Sequence, residues 1–588
     1  MVTAQERRHS LKAVRRLTIL AQDPAVRVDG ALVRARIEIP TEELLPGPTG
    51  YRVSVIDYDA TANMLYAPLD LASALVEEDD PFLFASDDEL IGNPGFHAQN
   101  AYAIAMRILA RFEFALGRRI PWGSAGHQLH IAPHAFADAN AFYSREDRGL
   151  FFGYFTAAAE DGGRETVYTC LSHDIVAHET THAVLDGLRA GFMEPSLPDQ
   201  AAFHEGFADV VALLSVFSLP ETIGRLLAGR SDTNLIDPEW LTEDALKESA
   251  LFGLAKQMGS ALTGLRGQAL RRSITLEKGR DYLGDPEFQE EHSRGELIVA
   301  AMLGAFLSIW IERLSRIGPV HDGKKDLRIV VEEGARAADH LLTMAIRAID
   351  YCPPVDLSFG DYLSALLTVD REVVPDDRHG YRAALLENFR AYGIRPSGDA
   401  SDDGTWLRCD RRFVHSQTHF DSMLRDREEV FRFIWENRVP LDIGRVGYIE
   451  VQSVRPSFRI APDGFMLRET IVEYVQRLTA TAGELSADYQ IPVPSDIPHW
   501  KAITILAGGT IIFDEYGQVK YQIAHHLTRT AAERDWQARR IRHLWDRGLL
   551  DVAEEARGRF AAMHATRAMM RSAHESPVEL KEKGLSRA

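Results

Sequence analysis

The chain has 588 residues, too many for one hydrophobic core, and we expect about three or four domains or subdomains. With 66 basic and 86 acidic residues the formal net charge is −20, which argues against a nucleic-acid partner and against binding to an anionic membrane. No apolar stretch reaches the length of a membrane span, and the apolar run at 17–20 is too short for a signal peptide. The three cysteines are scattered and odd in number, so we expect no disulfide framework and a cytoplasmic location.

Residues 1–87 predict a small β-rich domain, because apolar and polar residues alternate there, as in the stretch 51–58. The acidic run 77–80 is better explained as a solvated boundary than as a metal site. Helical spacing of apolar residues over 96–116 then predicts a long helix. Two β-prone runs, 150–155 and 166–170, flank a glycine-containing turn and predict a hairpin.

The most informative segment of the chain is His178-Glu179-Thr180-Thr181-His182, which lies among apolar residues suited to a buried helix. Positions four residues apart share one helix face, so His178 and His182 can direct both imidazoles at one metal ion. Glu179 can reach a metal-bound water without being a ligand, and we expect it to be the general base. The five-residue match alone is moderate evidence, because a long chain can contain it by chance.

A third ligand must come from elsewhere, and Glu205 lies suitably on the amphipathic stretch 201–214. Two histidines and one glutamate leave the fourth zinc position open for water, which is the catalytic arrangement. Asp209 follows Glu205 by one helical turn and can accept the second ring N–H of His178.

Two other classes of zinc hydrolase share the first motif. One class requires a third histidine at position 188 after a glycine at 185, but this chain has Leu185 and Leu188. The zinc aminopeptidases normally carry a Gly-x-Met-Glu-Asn segment upstream, which the sequence lacks. The first class is excluded, and an aminopeptidase is retained as a minor alternative.

The segment 174–184 resembles, almost residue for residue, the active-site helix of the thermolysin-like metallopeptidases, the gluzincin type of site. Upstream, Asn140-Ala141-Phe142-Tyr143 resembles the edge strand that pairs with the substrate backbone in that family. The resemblance therefore implies that Asn140 and Ala141 bind substrate. It spans about residues 88–394.

Two downstream segments also resemble this family. Within 267–273, Arg271 matches an arginine that holds a substrate carbonyl, with Arg272 as the alternative. His292, which precedes a long apolar stretch at 297–311, matches a histidine that donates a hydrogen bond to the oxyanion. The resemblance implies that His292 is catalytic.

The sequence departs from the family at two places. The family has a tyrosine between the zinc helix and the glutamate ligand, but no tyrosine occurs from Ala183 to His204. Asp174 matches a calcium ligand, yet the acidic residues expected after Glu205 are replaced by the apolar run 213–217. We therefore do not predict the family's double calcium site.

The last part of the chain, 395–588, resembles no family that we recognise. It opens with a polar segment, 396–404, that has the composition of a linker. We then expect a helix at 421–436, strands at 447–454 and 458–460, a hairpin at 510–523 and a charged helical tail from 527 to 570. Such an extra module could gate the site or recruit a substrate.

Together these patterns predict an α+β protein. Its expected parts are a β-rich N-terminal domain (1–87), a two-lobed thermolysin-like core and a C-terminal α+β region (395–588). The core would have a β-rich lobe that also carries the zinc helices (88–216) and an α-helical lobe (217–394), with the zinc helix between them. The expected function is that of a zinc-dependent metalloendopeptidase acting on a peptide or protein substrate, with about one zinc ion per chain. The alternatives are a catalytically weak relative that serves as a peptide-binding or regulatory module, and a zinc aminopeptidase.

Overall fold

The protein is an α+β structure, as the sequence predicts. The computed structural model describes residues 14–71, 80–124, 126–158, 163–228, 234–247, 273, 275–415, 418–461 and 464–550. The strands of this part of the chain are β1 (Val14–Leu20), β2 (Arg27–Val28), β3 (Ala31–Leu32), β4 (Arg34–Pro40), β5 (Val53–Val55), β6 (Tyr58–Asp59), β7 (Met64–Leu65), β8 (Leu129–Phe136), β9 (Ala141–Ser144), β10 (Gly149–Ala158), β11 (Arg164–Tyr168), β12 (Leu235–Ile236), β13 (Lys325–Asp326), β14 (Tyr448–Ile460), β15 (Met466–Thr481), β16 (Ala502–Phe513) and β17 (Val519–His525).

The α-helices fall into a central group and smaller flanking ones. They are α1 (Asp87–Gly92), α2 (Pro94–Leu116), α3 (His173–Leu188), α4 (Pro198–Phe217), α5 (Pro220–Ala228), α6 (Glu243–Leu246), α7 (Glu291–Ser315), α8 (Leu327–Ala348), α9 (Phe359–Val373), α10 (Tyr381–Arg390), α11 (Phe420–Met423), α12 (Arg427–Glu436), α13 (Ala482–Ala487) and α14 (Ala531–Asp546). The predicted helices around 96–116, 178–182 and 201–214 are confirmed as α2, α3 and α4.

The N-terminal strands share their core with the rest of the protein. Strands β1 and β4 pair antiparallel, and alternate residues of β4 face the protein interior. Their buried side chains belong to the same hydrophobic cluster as those of α2 and α3. Strand β5 pairs parallel with β8 and so joins the larger sheet. The hydrophobic core therefore crosses the boundary at residue 87 that the sequence suggests.

The main sheet of the N-terminal half has the order β11-β10-β8-β5, with β9 added against β10. Strands β10 and β11 pair antiparallel, from Tyr154 opposite Tyr168 to Ala158 opposite Arg164, which confirms the predicted hairpin. The sheet places β9 against α3, so that an edge of the sheet lies beside the helix that carries His178 and His182.

Helix α4 packs against both α3 and α7, and glycine lets α4 and α7 approach closely. A Cβ atom on Gly206 of α4 would lie 2.6 Å from the carbonyl oxygen of Gly295 on α7. A side chain at either position would push the helices apart, since such a contact is far inside van der Waals distance.

Among the residues that the structure describes, α7 is the one helix long and apolar enough to cross a membrane. Its most apolar window is 78% buried inside the protein, and a buried core helix passes the same test.

The C-terminal region forms an antiparallel sheet in the order β14-β15-β16-β17. The predicted hairpin is confirmed as β16 and β17. The two strands expected at 447–454 and 458–460 are one continuous strand, β14, whose register shifts between Val451 and Ser453. The helix expected at 421–436 is divided into α11 and α12, because Asp426 caps a new helix through the N–H of Glu428. Of the predicted helical tail, α14 is confirmed over Ala531–Asp546, and residues 551–588 lie outside the described part.

The segment at 396–404, which has the composition of a linker, is packed onto α9. Ser397 donates its N–H to Ser364 Oγ at 3.0 Å. Just beyond, Trp406 is buried, and it donates its N–H to Thr368 Oγ1 at 2.7 Å and its indole N–H to the Tyr351 carbonyl at 2.9 Å. These contacts fix the start of the C-terminal region on the helices that precede it.

A buried ionic network joins the C-terminal sheet to the helical part. Arg459 of β14 is fully buried and pairs with Glu469 of β15 at 2.6 Å and with Asp350. Asp350 is also held by both terminal nitrogens of Arg118, at 2.6 and 2.7 Å. Burial alone would raise the pKa of Asp350, but the charges of Arg118 and Arg459 outweigh burial and hold this pKa well below its usual range.

A second set of contacts reaches the C-terminal end of α3. Arg189, the residue that ends this helix, is 1% exposed and lies 3.2 Å from Glu473 of β15. Arg455 of β14 donates to the Leu188 carbonyl at 2.5 Å, which satisfies one of the backbone oxygens that a helix end leaves without an intrahelical partner. Two arginines at this end also complement the negative end of the helix dipole. The C-terminal sheet therefore supports the helix that carries His178 and His182.

These contacts bear on the role of 395–588. Residues Ile512, Tyr521 and Ile523 of its sheet belong to the same hydrophobic cluster as α3 and α4. Ending the chain near residue 394 would expose this surface and leave Asp350 and Arg189 without their partners from the sheet. We therefore expect truncation to unfold the protein instead of separating a gate or a recruiting module from it.

We expect Arg459→Met to lower the free energy of unfolding by about 3–5 kcal/mol, because it leaves Asp350 and Glu469 buried with one cation fewer. Arg445→Met, at an exposed site on the same region, is the control and should change it by under about 0.5 kcal/mol. Urea unfolding at neutral pH measures both. Since the pKa of Asp350 is lowered by folding, its contribution is complete at neutral pH and is lost as the pH falls below about 4. Equal stabilities of the two variants would contradict the expectation.

Candidate metal centre

Helix α3 brings its two histidines together as their spacing predicts. His178 and His182 are 2% and 1% exposed, and the centroids of their rings lie 4.4 Å apart. The helix begins after Ser172 and has an acidic residue, Asp174, in its first turn, where a negative charge is favourable. Thr180 and Thr181, between the histidines, return their hydroxyls to helix carbonyls at 2.7 Å and so bury no unsatisfied hydroxyl.

Glu205 of α4 faces both histidines. Its carboxylate oxygens lie 3.7 Å from His178 Nε2 and 3.8 Å from His182 Nε2, and one ligand atom from each residue lies within 4.8 Å of the other two. These distances are longer than a hydrogen bond. Two ligands of a tetrahedral zinc ion lie about 3.3 Å apart when each is about 2.0 Å from the metal, so a small inward movement would close the set. The spacing and the donor types fit one ion with two imidazoles and one carboxylate.

The second ring nitrogen of each histidine is fixed by a neighbour. Asp209 Oδ1 lies 2.7 Å from His178 Nδ1, the contact that the sequence predicts. His204 Nδ1 lies 2.8 Å from His182 Nδ1, and the two rings stack with centroids 4.8 Å apart. A proton on Nδ1 of each α3 histidine leaves Nε2 as the atom that faces Glu205.

The sequence patterns do not indicate His204 as a residue of the site. It stands directly before Glu205, and a histidine has the ring nitrogen needed to receive a hydrogen bond from a ligand ring. This histidine is next to Glu205 in the sequence, but neighbouring residues of a helix point to different sides of it. His204 meets His182 only because of the way α3 and α4 cross.

Glu179 is fully buried and does not belong to the set of three ligand atoms. Its Oε2 accepts the backbone N–H of Tyr143 in β9 at 3.0 Å. The hydroxyl of Tyr143 donates to Asp186 Oδ2, farther along the same helix, at 2.8 Å. Tyr143 therefore fixes β9 against α3 at two points, and its N–H orients the carboxylate predicted as general base.

The predicted substrate-binding strand lies where it could serve that purpose. Within the described residues β9 pairs with β10 alone, with Tyr143 opposite Leu150. Backbone groups alternate in direction along a strand, so Ala141 points its N–H and C=O to the same side as the N–H of Tyr143, toward Glu179. The N–H of Ala141 is bonded to the side chain of Asn140 at 2.9 Å. Both predicted residues thus lie on the edge of the sheet beside the cluster.

His292 also reaches the cluster. It lies in the first turn of α7, and its Nε2 is 3.4 Å from Glu205 Oε2. The close approach of Gly206 and Gly295 brings this turn of α7 against Glu205. Glu290, which caps α7 by accepting the N–H of Ser293 at 2.9 Å, also lies 2.9 Å from His292 Nδ1. Sequence analysis missed Glu290, although a carboxylate two residues before a candidate histidine could have indicated it.

One expected site residue is left untested, and the nearby Tyr143 uses its hydroxyl elsewhere. Arg271 and its alternative Arg272 lie outside the described residues. Tyr143 directs its hydroxyl to Asp186, and burial together with that carboxylate raises the pKa of the Tyr143 hydroxyl. Its backbone, and not its phenol, therefore serves the cluster.

No model of a known protein family matches the chain, and a search of curated proteins finds no match either. Function is therefore inferred from the chemistry of the site itself. What the site offers is a buried His-His-Glu set, the carboxylate of Glu179 held beside it, and a further histidine at its rim.

We expect His204→Phe to weaken zinc binding by about 10–100-fold, because residues that orient a ligand ring typically contribute that much. The matched control is His173→Phe, which replaces a buried histidine of α3 that bonds to Ser215 instead of to a ligand. Competition with a chelator measures zinc affinity, and circular dichroism shows whether each variant is folded. If folded His204→Phe binds zinc as tightly as the control does, His204 has no part in the site.

Proposed function

We propose that the protein is a zinc-dependent metalloendopeptidase of the thermolysin-like type. The observation that carries the proposal is the convergence of His178, His182 and Glu205 on one point, with Glu179 held next to it by the Tyr143 N–H and outside the ligand set. Two imidazoles and one carboxylate are the ligands of catalytic zinc in peptidases of this type. A zinc ion that only stabilises a fold would have no need of a positioned base.

The residues divide the work of hydrolysis among them. When bound, zinc would polarise the scissile carbonyl and lower the pKa of a water molecule. Glu179 accepts a proton from the attacking water and can pass it to the leaving amine. Its orientation comes from Tyr143, so the acceptor oxygen is fixed before substrate arrives.

His292 supplies a hydrogen bond to the carbonyl oxygen as negative charge develops on it. Its Nε2 faces the ligand set, while Glu290 holds Nδ1 and so sets the direction of the ring.

The substrate is an extended peptide. The edge of β9 presents the backbone of Ala141 and the side chain of Asn140 on the side of Glu179, and an extended chain can add to such an edge as a further strand. Following the family resemblance, we assign 88–216 and 217–394 to the two lobes of the peptidase and Arg271 to the substrate carbonyl. A cytoplasmic location remains part of the proposal.

A second candidate function is peptide binding or regulation with little turnover. The observation that favours it is the lack of any tyrosine from Ala183 to His204, where thermolysin-like enzymes have one that assists the oxyanion histidine. Zinc binding is common to both candidates, so turnover of a peptide library by the zinc-loaded protein distinguishes them.

We expect Glu179→Gln to retain zinc and to lose peptide hydrolysis by a factor of about 10²–10⁴, because the carboxylate acts as a base and not as a ligand. His182→Ala should bind about one zinc ion fewer per chain than the wild type, since it removes a ligand. Elemental analysis and hydrolysis of an internally quenched peptide library measure the two effects.

The outcomes are separable. Wild-type kcat in Glu179→Gln would refute the mechanism, and an unchanged zinc content in His182→Ala would refute the site. Zinc binding with no hydrolysis of any library by the wild type would favour the regulatory candidate. If the protein is active, peptide fragments that accumulate with the wild type and not with Glu179→Ala identify its substrate.

A further inference from the structure

A second cluster of ligand-type side chains lies apart from the first. It consists of His97 on α2, His134 on β8 and Cys170, which follows β11. All three are buried, with exposures of 1%, 1% and 0%, and one ligand atom from each lies within 4.8 Å of the other two. The proposed peptidase reaction makes no use of these residues.

In each ring, the outer nitrogen is the one that faces away from the other histidine. Its neighbour is an oxygen atom that accepts a hydrogen bond. His97 Nε2 lies 2.8 Å from the carbonyl oxygen of Ile91, so Nε2 carries a hydrogen. His134 Nδ1 lies 2.7 Å from Asp57 Oδ2, and the other oxygen of that carboxylate accepts the backbone N–H of His134 at 2.9 Å. With one oxygen on that N–H, the carboxylate of Asp57 turns its other oxygen to a hydrogen on His134 Nδ1.

The inner nitrogens of the two rings, His97 Nδ1 and His134 Nε2, face each other. In two neutral rings, His97 Nδ1 and His134 Nε2 would both present lone pairs, and these two atoms lie 2.7 Å apart. Lone pairs at this distance repel each other unless a positive ion lies between them. That ion is either one extra proton or a metal ion. The tautomers are also those that histidine ligands adopt, with the outer N–H on a carbonyl or carboxylate.

Cys170 favours a metal ion over an extra proton between the rings. A shared proton needs no third group, whereas a thiolate beside two imidazoles is a ligand set that favours zinc and related transition metals. The Tyr168 ring packs against both histidines, with centroids 4.6 Å from His97 and 5.3 Å from His134, and its contacts help to hold the rings in place. The carboxylate of Asp57, itself fixed by a backbone N–H, supplies the outer support that metal-binding histidines typically have.

We propose that His97 Nδ1, His134 Nε2 and Cys170 Sγ form a second, structural metal site that takes Zn²⁺. Binding exchanges the proton shared by the rings and the proton of the thiol for the metal ion, so two protons are released and no oxidant or reductant is required. The two ring nitrogens must separate from 2.7 Å to about 3.3 Å, the spacing of two zinc ligands. In the metal-free protein, the shared proton holds these two nitrogens at the shorter distance.

The position of the cluster gives the site a structural role. It joins helix α2 and strand β8 to Cys170, and Cys170 lies two residues before Ser172, after which α3 begins. A metal ion there would fix the start of the helix that carries His178 and His182. This site does not depend on the proposed peptidase activity, because none of its ligands is shared with the His-His-Glu set.

Cobalt provides the test, since a thiolate ligand gives Co²⁺ an intense charge-transfer absorption in the near ultraviolet and the His-His-Glu set contains no thiolate. We expect full-length protein loaded with Co²⁺ to show this band, and Cys170→Ser to lose it. The controls are Cys352→Ser and Cys409→Ser, which replace the other two cysteines and should keep the band. Zinc content should be about two ions per chain in the wild type and about one in Cys170→Ser.

Absence of the band from the wild type would overturn the proposal without any variant, and would leave a shared proton as the ion between the rings. A band that persists in folded Cys170→Ser and vanishes in Cys409→Ser would also overturn it. The experiment can contradict either site without the other. If the wild type binds one zinc ion and His182→Ala loses it, the protein has the His-His-Glu site and lacks the second site. A protein with one zinc that is lost in Cys170→Ser shows the reverse.

Discussion

The structure depends on the burial of the Glu205 carboxylate among three histidine rings. The nearest ring nitrogens lie 3.4, 3.7 and 3.8 Å away, and Glu205 itself is 2% exposed. A buried carboxylate costs several kcal/mol unless positive charge or hydrogen bonds compensate it. The three histidines come from α3 and α7 and the carboxylate from α4, and the glycine pair at 206 and 295 lets α4 and α7 come close enough.

The need to hold Glu205 among the histidines also explains why several parts of the chain support α3. On one side, Tyr143 bonds to the helix through its N–H and its hydroxyl. At the far end, Arg455 and Arg189 connect the last turn to the C-terminal sheet. Each support acts on a different turn, so the position of the histidines is determined by several parts of the chain at once. In this view 395–588 belongs to the scaffold of the site.

The two histidine clusters illustrate how distance discriminates between kinds of site. In the first cluster the facing atoms are 3.7 and 3.8 Å apart, too far for hydrogen bonds and near the spacing of two ligands on one ion. In the second the two ring nitrogens are 2.7 Å apart, which is the distance of a hydrogen bond. At the edge of the first cluster the side chain of His292 is 13% exposed, whereas the three ligand-type residues of the second are almost fully buried.

The sequence by itself determined the elements and most of the candidate site. Local periodicity was enough for α2, α3, α4 and the β10–β11 hairpin, since spacing of apolar residues sets which face is buried. The i, i+4 spacing of His178 and His182, and the turn between Glu205 and Asp209, are local facts that a helix converts directly into geometry. Glu290 was within reach of the same reasoning, because it precedes His292 by two residues.

Only the tertiary structure decided what depends on how distant segments cross. His204 meets His182 because of the angle between α3 and α4, and His97 meets His134 because α2 packs on a strand that follows much later. The polar composition of 396–404 predicted a linker, but Ser397 donates its N–H to Ser364 and the nearby Trp406 donates its N–H to Thr368, and composition cannot reveal partners contributed by another element. Likewise, nothing local to Arg459 or Arg189 indicates burial. Their charges are compensated by Asp350 and Glu473, which come from elsewhere in the chain and become neighbours only when it folds.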